Sequence, residues 1–326
     1  MTYCKTAGLL LMAGLSVSCV QTRPTPVPDP IPMPVTTEKT PTLAKTPEVT
    51  SAADTATTVA TSGVDANDTA APFIEYRYFP SAKAALLDII ATTRPQVIGF
   101  GEYHSQTGDH VTSALSHFTT ELLPVLAPVT SDIVVEALVN EGGCKALGEQ
   151  VTTDVKADTK RPEETVDEVS VLFEKARASG VTPHFITMTC RDNESIYGEN
   201  EVDYDKMLKL IGAKLFEKTI DVMSARASKY HRKSKPLIAI YGGAIHNDVH
   251  PREGSRAYSF GQRMTKRLPN GKYVEIDLIV PEVAKDVPYV QDASWYPLFR
   301  DKVSPEKTLL IKQSDTEFLL VFPGKS

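Results

Sequence analysis

The sequence predicts an α/β domain: a mainly parallel β-sheet flanked by helices on both faces, with a C-terminal β-hairpin. Three observations predict it. Apolar runs that stop at glycine, Val97 to Gly101 and Ile238 to Gly243, have the length and composition of parallel strands buried on both faces. Such runs alternate with stretches of helical periodicity, and alternation of that kind requires crossovers that place helices on both sides of a parallel sheet. The chain then closes on Thr308 to Lys312 and Glu317 to Phe322, parted by Gln313-Ser314-Asp315-Thr316, the pattern of a hairpin.

In chain order, Lys5 precedes the apolar run Ala7 to Leu15, which is too short to span a bilayer and has the layout of a secretory signal. The following Leu15-Ser16-Val17-Ser18-Cys19 resembles a bacterial lipoprotein signal, which implies a signal segment over residues 1–19 that ends at the lipobox Cys19, the residue acylated as the mature N-terminus. Residues 20–72 lack aromatic side chains. Pro24, Pro26, Pro28, Pro30, Pro32 and Pro34 alternate with other residues, and a Thr/Ala/Ser/Val stretch follows. This composition cannot bury a core and makes a disordered tether with a reach on the order of 100 Å if pulled taut. The expected location is therefore the bacterial cell envelope, with the lipid in a membrane and the chain facing the periplasm or cell surface.

Residues 73–326 form the single folded domain. Phe73 to Phe79 alternates like a short edge strand, and Pro80-Ser81 opens a helix through Ala91. After the strand Val97 to Gly101, a helix is expected from Asp109 to Leu126, with Val111, Leu115, Phe118, Leu122 and Val125 on one face, then a strand Asp132 to Glu136. Helix Glu163 to Ser179 leads to strand Pro183 to Thr189, and helix Asp203 to Tyr230 leads to strand Pro236 to Tyr241. A helix from Tyr258 to Arg267, the turn Pro269-Asn270-Gly271 and strand Tyr273 to Val280 continue the alternation. The segment Gln291 to Arg300, with the single Trp295, is expected to cover one end of the sheet or one side of a pocket.

The 326 residues carry a net charge of -6 and no long Lys/Arg block, which argues against a nucleic-acid surface. Gly-x-Ser-x-Gly, Gly-x-x-x-x-Gly-Lys-Ser/Thr and Gly-x-Gly-x-x-Gly are all absent, which removes the serine-hydrolase elbow and the phosphate-cofactor loops.

The chemistry concentrates where strands end. Parallel strands share one carboxyl edge, so Glu102, His104, Glu136, Cys190 to Asp192 and His246 should gather there. Imidazole takes a proton near neutral pH, and a carboxylate can fix its tautomer or share a cation, so the set suits a divalent metal or a His/Glu acid–base pair. Tyr103, between Glu102 and His104, should point the other way. Cys144 and Cys190, at neighbouring strand ends in an oxidising compartment, are expected to form a disulfide. The charged loop Asn247, Asp248, His250, Arg252, Glu253 and Arg256 is either a solvated face or a site for an anionic ligand. His110 and His117 are seven apart on one expected helix, and His184 and His231 read as structural.

These motifs resemble the Tiki/TraB, ChaN-like and erythromycin-esterase-like superfamily. The matching elements are Gly101-Glu102-Tyr103-His104 after an early strand, Gly243-Ala244-Ile245-His246 after a late one, and Val134-Val135-Glu136. The segments Asp203-Tyr204-Asp205-Lys206-Met207 and Tyr258-Ser259-Phe260-Gly261-Gln262-Arg263 are similar to that family too, so the resemblance spans Pro95 to Arg267. It implies a pocket at the strand ends and the first two of three functions, the third resting on the long tether. The first is a hydrolase of an ester or amide in a small molecule or peptide, with Glu102, His104, Glu136 and His246 as catalytic residues and His104, His246 and Glu136 as ligands of a divalent metal, or His104 alone as base. The second is a haem-binding lipoprotein without turnover, with Tyr103 and Tyr241 as cofactor residues. The third is an inactive scaffold.

Overall fold

The computed structural model describes residues 8–11, 13–14, 74–106, 108–160, 162, 165–198, 201–228 and 235–324. Cys19, the tether 20–72 and His231 lie outside the described residues. Among the described residues from 74 onward eight strands build the sheet: β1 (Glu75–Phe79), β2 (Val97–Glu102), β3 (Thr130–Asn140), β4 (Thr182–Met188), β5 (Leu237–Gly243), β6 (Tyr273–Ile279), β7 (Thr308–Lys312) and β8 (Glu317–Val321). Across the sheet the order is β4-β3-β5-β2-β6-β8-β7-β1. The pairs from β4 to β8 are parallel, and β7 runs antiparallel to both β8 and β1. The hairpin and the edge strand β1 are thus where the sequence puts them. The backbone of Gly8–Leu11 lies antiparallel to Leu138–Asn140 and turns back through Ala13–Gly14.

Strands β2, β5 and β6 are buried along their whole length because each has a neighbour on both edges and helices over both faces. One face carries Ile98, Phe100, Tyr241 and Ile276 and is covered by helix α1 (Ala82–Thr93), by helix α2 over 114–126 and by a helix over Thr165–Ala178. Ser81 starts α1 by accepting the Ala84 N–H, and Arg94 ends it in the left-handed conformation at φ 48°. The opposite face carries Val97, Val134, Ile238 and Ile240 under the helices Lys145–Thr159 and Tyr204–Ser228, whose Ile211 and Leu215 are fully buried. Trp295 packs with Ile279, Leu309, Ile311 and Leu319, so the segment around it closes the hairpin end of the sheet. Among the described residues no helix is long and apolar enough to cross a membrane.

Several boundaries differ from the sequence expectation. The helix expected from Asp109 begins at Ala114, because Asp109 closes a turn with Gln106 and the Ser113 hydroxyl caps the Ser116 N–H. It contains a π turn over Phe118–Leu122. His110 therefore lies in the preceding loop and shares no helix face with His117, whose Nδ1 meets Glu121 at 2.5 Å and whose ring stacks on Phe322. The helix expected from Tyr258 begins at Gly261, where the Ser259 hydroxyl accepts the Gly261 N–H. The helices Lys145–Thr159 and Cys190–Ile196 have no counterpart in the sequence reading, their apolar stripes being narrow. His184 binds Asp132 at 2.9 Å, a structural pairing on an edge strand.

Candidate functional site

The ladder register brings the two motifs together. Strand β2 runs beside β5 with Phe100 opposite Tyr241 and Glu102 opposite Gly243, so both strands end at one level. Beyond that level the chain leaves β5 through the short helix Ala244–Asn247, which carries His246 back over the strand ends.

Glu136 reaches the same place by a different route. The sequence reading ended its strand there, but β3 continues to Asn140, and Glu136 sits inside it. The β3–β4 register shifts between Val134 and Leu138, and β3 pairs with β5 only as far as Val135. A bulge of this kind re-aims a side chain. The Glu136 carboxylate lies over Gly242, where a Cβ would stand 2.7 Å from Oε2, and Oε2 accepts the Gly243 N–H at 2.7 Å. Only glycine at 242 leaves that carboxylate its position.

Both imidazoles are held by Nδ1. His104 Nδ1 meets Glu102 Oε1 at 2.7 Å, and His246 Nδ1 meets the Tyr258 carbonyl at 2.9 Å. A carbonyl can only accept, so His246 carries a proton on Nδ1, and in the neutral ring Nε2 is the bare nitrogen. An ionised Glu102 selects the same tautomer in His104. His246 Nε2 stands 4.0 Å from Glu136 Oε2. His104 Nε2 and Glu136 Oε2 lie 3.0 and 3.6 Å from the point where a Gly243 Cβ would be. Two nitrogen lone pairs and a carboxylate oxygen thus face one region above Gly243. His246 is buried, whereas His104 is partly open to solvent. A small cavity on its outer side is lined by Glu102, His104, Ser113 and Glu168. In kind this donor set fits a divalent cation. In spacing it is wider than a closed metal cage, since among the described residues only Asp248, Glu275 and Glu317 form a trio with donor atoms all within 4.8 Å of one another.

Of that trio and Asp277, the sequence reading names only Asp248, as part of the charged loop. Glu275 and Asp277 alternate on one face of β6, and Glu317 is the register partner of Glu275 on β8. The charged loop turns into this group: Asn247 donates to Asp277, the Val249 N–H donates to Glu275, and His250 bonds Glu317. Burial, with the Asp248 charge beside it, pushes the Asp277 carboxyl up to about 8. Burial first, then Glu317, lifts Asp248 to about 6, and Glu275 is raised well above the ordinary carboxylate range by burial and its acidic neighbours. Arg252 stacks over Tyr289 at 4.2 Å. A signal for the trio exists in Val274-Glu275-Ile276-Asp277-Leu278, where acids recur every second residue in a fully buried strand.

Of the residues expected at the site, Glu102, His104, Glu136, Tyr241 and His246 converge. Tyr103 does not join them. Burial and the charges of Asp277, Glu275 and Asp248 raise its phenol well above its usual value, which places the ring beside the acidic group. Tyr241 instead donates to Glu102, so the two tyrosines have different surroundings. Cys144 and Cys190 are bonded, with Cα atoms 5.0 Å apart, and tie the turn after β3 to the start of the helix Cys190–Ile196.

No protein-family model matches the chain, and no curated protein matches it. Among solved structures it is similar to the type III effector HopBA1, with 11% sequence identity and a TM-score of 0.41, over 76% of this chain and 97% of that one. At that identity and score the likeness assigns neither a family nor an activity.

Proposed function

We propose that the chain is an envelope lipoprotein whose domain hydrolyses an ester or amide bond, with His104 as general base. The observation that carries the reading is the pair of Nδ1-anchored imidazoles with Nε2 turned toward Glu136 above Gly243. Water beside His104 loses its proton to Nε2 as its oxygen attacks the carbonyl carbon. The bond to the leaving oxygen or nitrogen then breaks, and the proton passes from Nε2 to that atom. Glu102 stabilises the imidazolium formed in between. Glu136 Oε2, which shares the region above Gly243 with His104 Nε2, accepts the second O–H of the attacking water, and His246 stands 4.0 Å from Glu136. A divalent cation, if bound, would be held by His104, His246 and Glu136 and would supply Lewis-acid activation of water or carbonyl.

The test is hydrolysis of p-nitrophenyl acetate and of a peptide p-nitroanilide by the full chain, with metal analysis of the same preparation. Expected is turnover of one probe class that falls at least about 100-fold in His104→Ala, the usual contribution of a positioned base. Loss of turnover in chelator, with stoichiometric metal that disappears in His104→Ala and His246→Ala, would select the metal form. No turnover together with a Soret band on haem addition would move the reading to the haem-binding alternative.

A further inference from the structure

We propose that Tyr241 is a positioning residue that sets the orientation and tautomer of His104 through Glu102; the inference rests on the reading of His104 as the base. The Tyr241 hydroxyl donates to Glu102 Oε2 at 2.5 Å, and the other oxygen of the same carboxylate, Oε1, meets His104 Nδ1 at 2.7 Å. A carboxylate can rotate about its last bond and present either oxygen, or neither, to the imidazole. A donor bound to Oε2 removes that freedom and leaves Oε1 in the plane where His104 meets it.

The arrangement depends on the parallel register. Gly243 stands opposite Glu102 and offers no side chain, so the carboxylate reaches diagonally back along β5 to Tyr241. The tyrosine ring is in turn fixed by packing. Its centroid lies 4.8 Å from that of Phe118, which is itself 5.0 Å from Phe100. Phe118 opens the π turn of α2, so the wide turn seats the aromatic group that aims the hydroxyl. Tyr241 and Glu102 are both buried, and a hydrogen bond to a carboxylate in such a place is shielded from competing water. The tyrosine hydroxyl reaches His104 through the Glu102 carboxylate, whose two oxygens bind one partner each.

Tyr241→Phe removes one oxygen and keeps the ring against Phe118. In the full chain labelled with ¹⁵N-histidine, His104 is expected to carry its proton on Nδ1, and Tyr241→Phe should add a clearly resolved Nε2–H population. For p-nitrophenyl acetate, kcat should fall about tenfold or more with KM unchanged, as for loss of an outer partner that orients a reacting imidazole. A purely structural tyrosine would leave the tautomer and kcat alone. A second readout needs no variant: the Tyr241 hydroxyl proton of the wild-type chain should give a downfield, exchange-protected resonance, as expected of a buried hydrogen bond to a carboxylate, and its absence overturns the proposal. If His104→Ala leaves hydrolysis intact, the hydrolase reading falls and the two resonance measurements still decide the role of Tyr241. If His104→Ala abolishes hydrolysis while Tyr241→Phe moves neither tautomer nor kcat, the positioning role alone falls.

Discussion

Asp277→Asn should make the domain more stable at neutral pH and flatten its dependence on pH. The native carboxyl is pushed up to about 8 by burial and by Asp248, against an ordinary value of 3.8. Between those values the folded chain holds a proton that the unfolded chain has released. Stability is thus fully present below the unfolded value and falls as pH rises toward the folded one. One proton corresponds to about 1.4 kcal/mol per pH unit, so Asp277 alone removes about 3 kcal/mol between pH 5 and pH 7. Asparagine is close in shape and neutral throughout, so it removes that slope while Asp248 and Glu275 still contribute theirs in the same direction. The assay is thermal and urea unfolding of the full chain and the variant from pH 4.5 to 8.5, with chelator present so that no cation neutralises the group. For a domain of this size about 3 kcal/mol corresponds to roughly 6–12 °C in Tm. If the variant and the parent lose stability with equal slope, Asp277 is ionised in the folded chain at pH 7 and the reasoning from burial is wrong.

Gly242→Ala should displace the Glu136 carboxylate, since the new Cβ would stand 2.7 Å from Oε2, and hydrolysis should fall about tenfold or more, while Gly254→Ala, where no atom lies within 4 Å, should leave the rate unchanged; rate assays on both variants decide it. Cys144→Ser with Cys190→Ser opens a link across 46 residues and should lower unfolding free energy by about 2–4 kcal/mol, read by urea titration against the oxidised parent. Ser113→Ala removes the cap of the helix over 114–126 and its bond to Glu168, and should cost about 1–2 kcal/mol in the same titration; no change would mean that another group caps the Ser116 N–H.

Much of the site was legible as residue types. Each Gly-x-x-His follows an apolar run, and such a run has one buried reading whatever its neighbours, so His104 and His246 could be placed at strand ends. Alternation along β2 likewise separates Tyr103 from Glu102. Glu136 was found for a reason that the structure amends: it does not end its strand, and only the bulge in β3 turns it toward the histidines. His110 was misassigned because Val111, Leu115 and Phe118 keep helical spacing across a turn that Asp109 and Ser113 impose locally.

What the sequence determined by itself was the order and kind of elements, because periodicity of two or of 3.6 residues is set by backbone geometry within a few residues. What only the tertiary structure decided was which ends meet. The register of β2 against β5, the shift in β3, the Tyr241–Glu102 contact across 139 residues and the gathering of Asp248, Glu275, Asp277 and Glu317 all depend on pairings between distant segments. Those pairings are chosen by packing over the whole sheet, where a shift of one residue would turn every side chain of a strand to the other face.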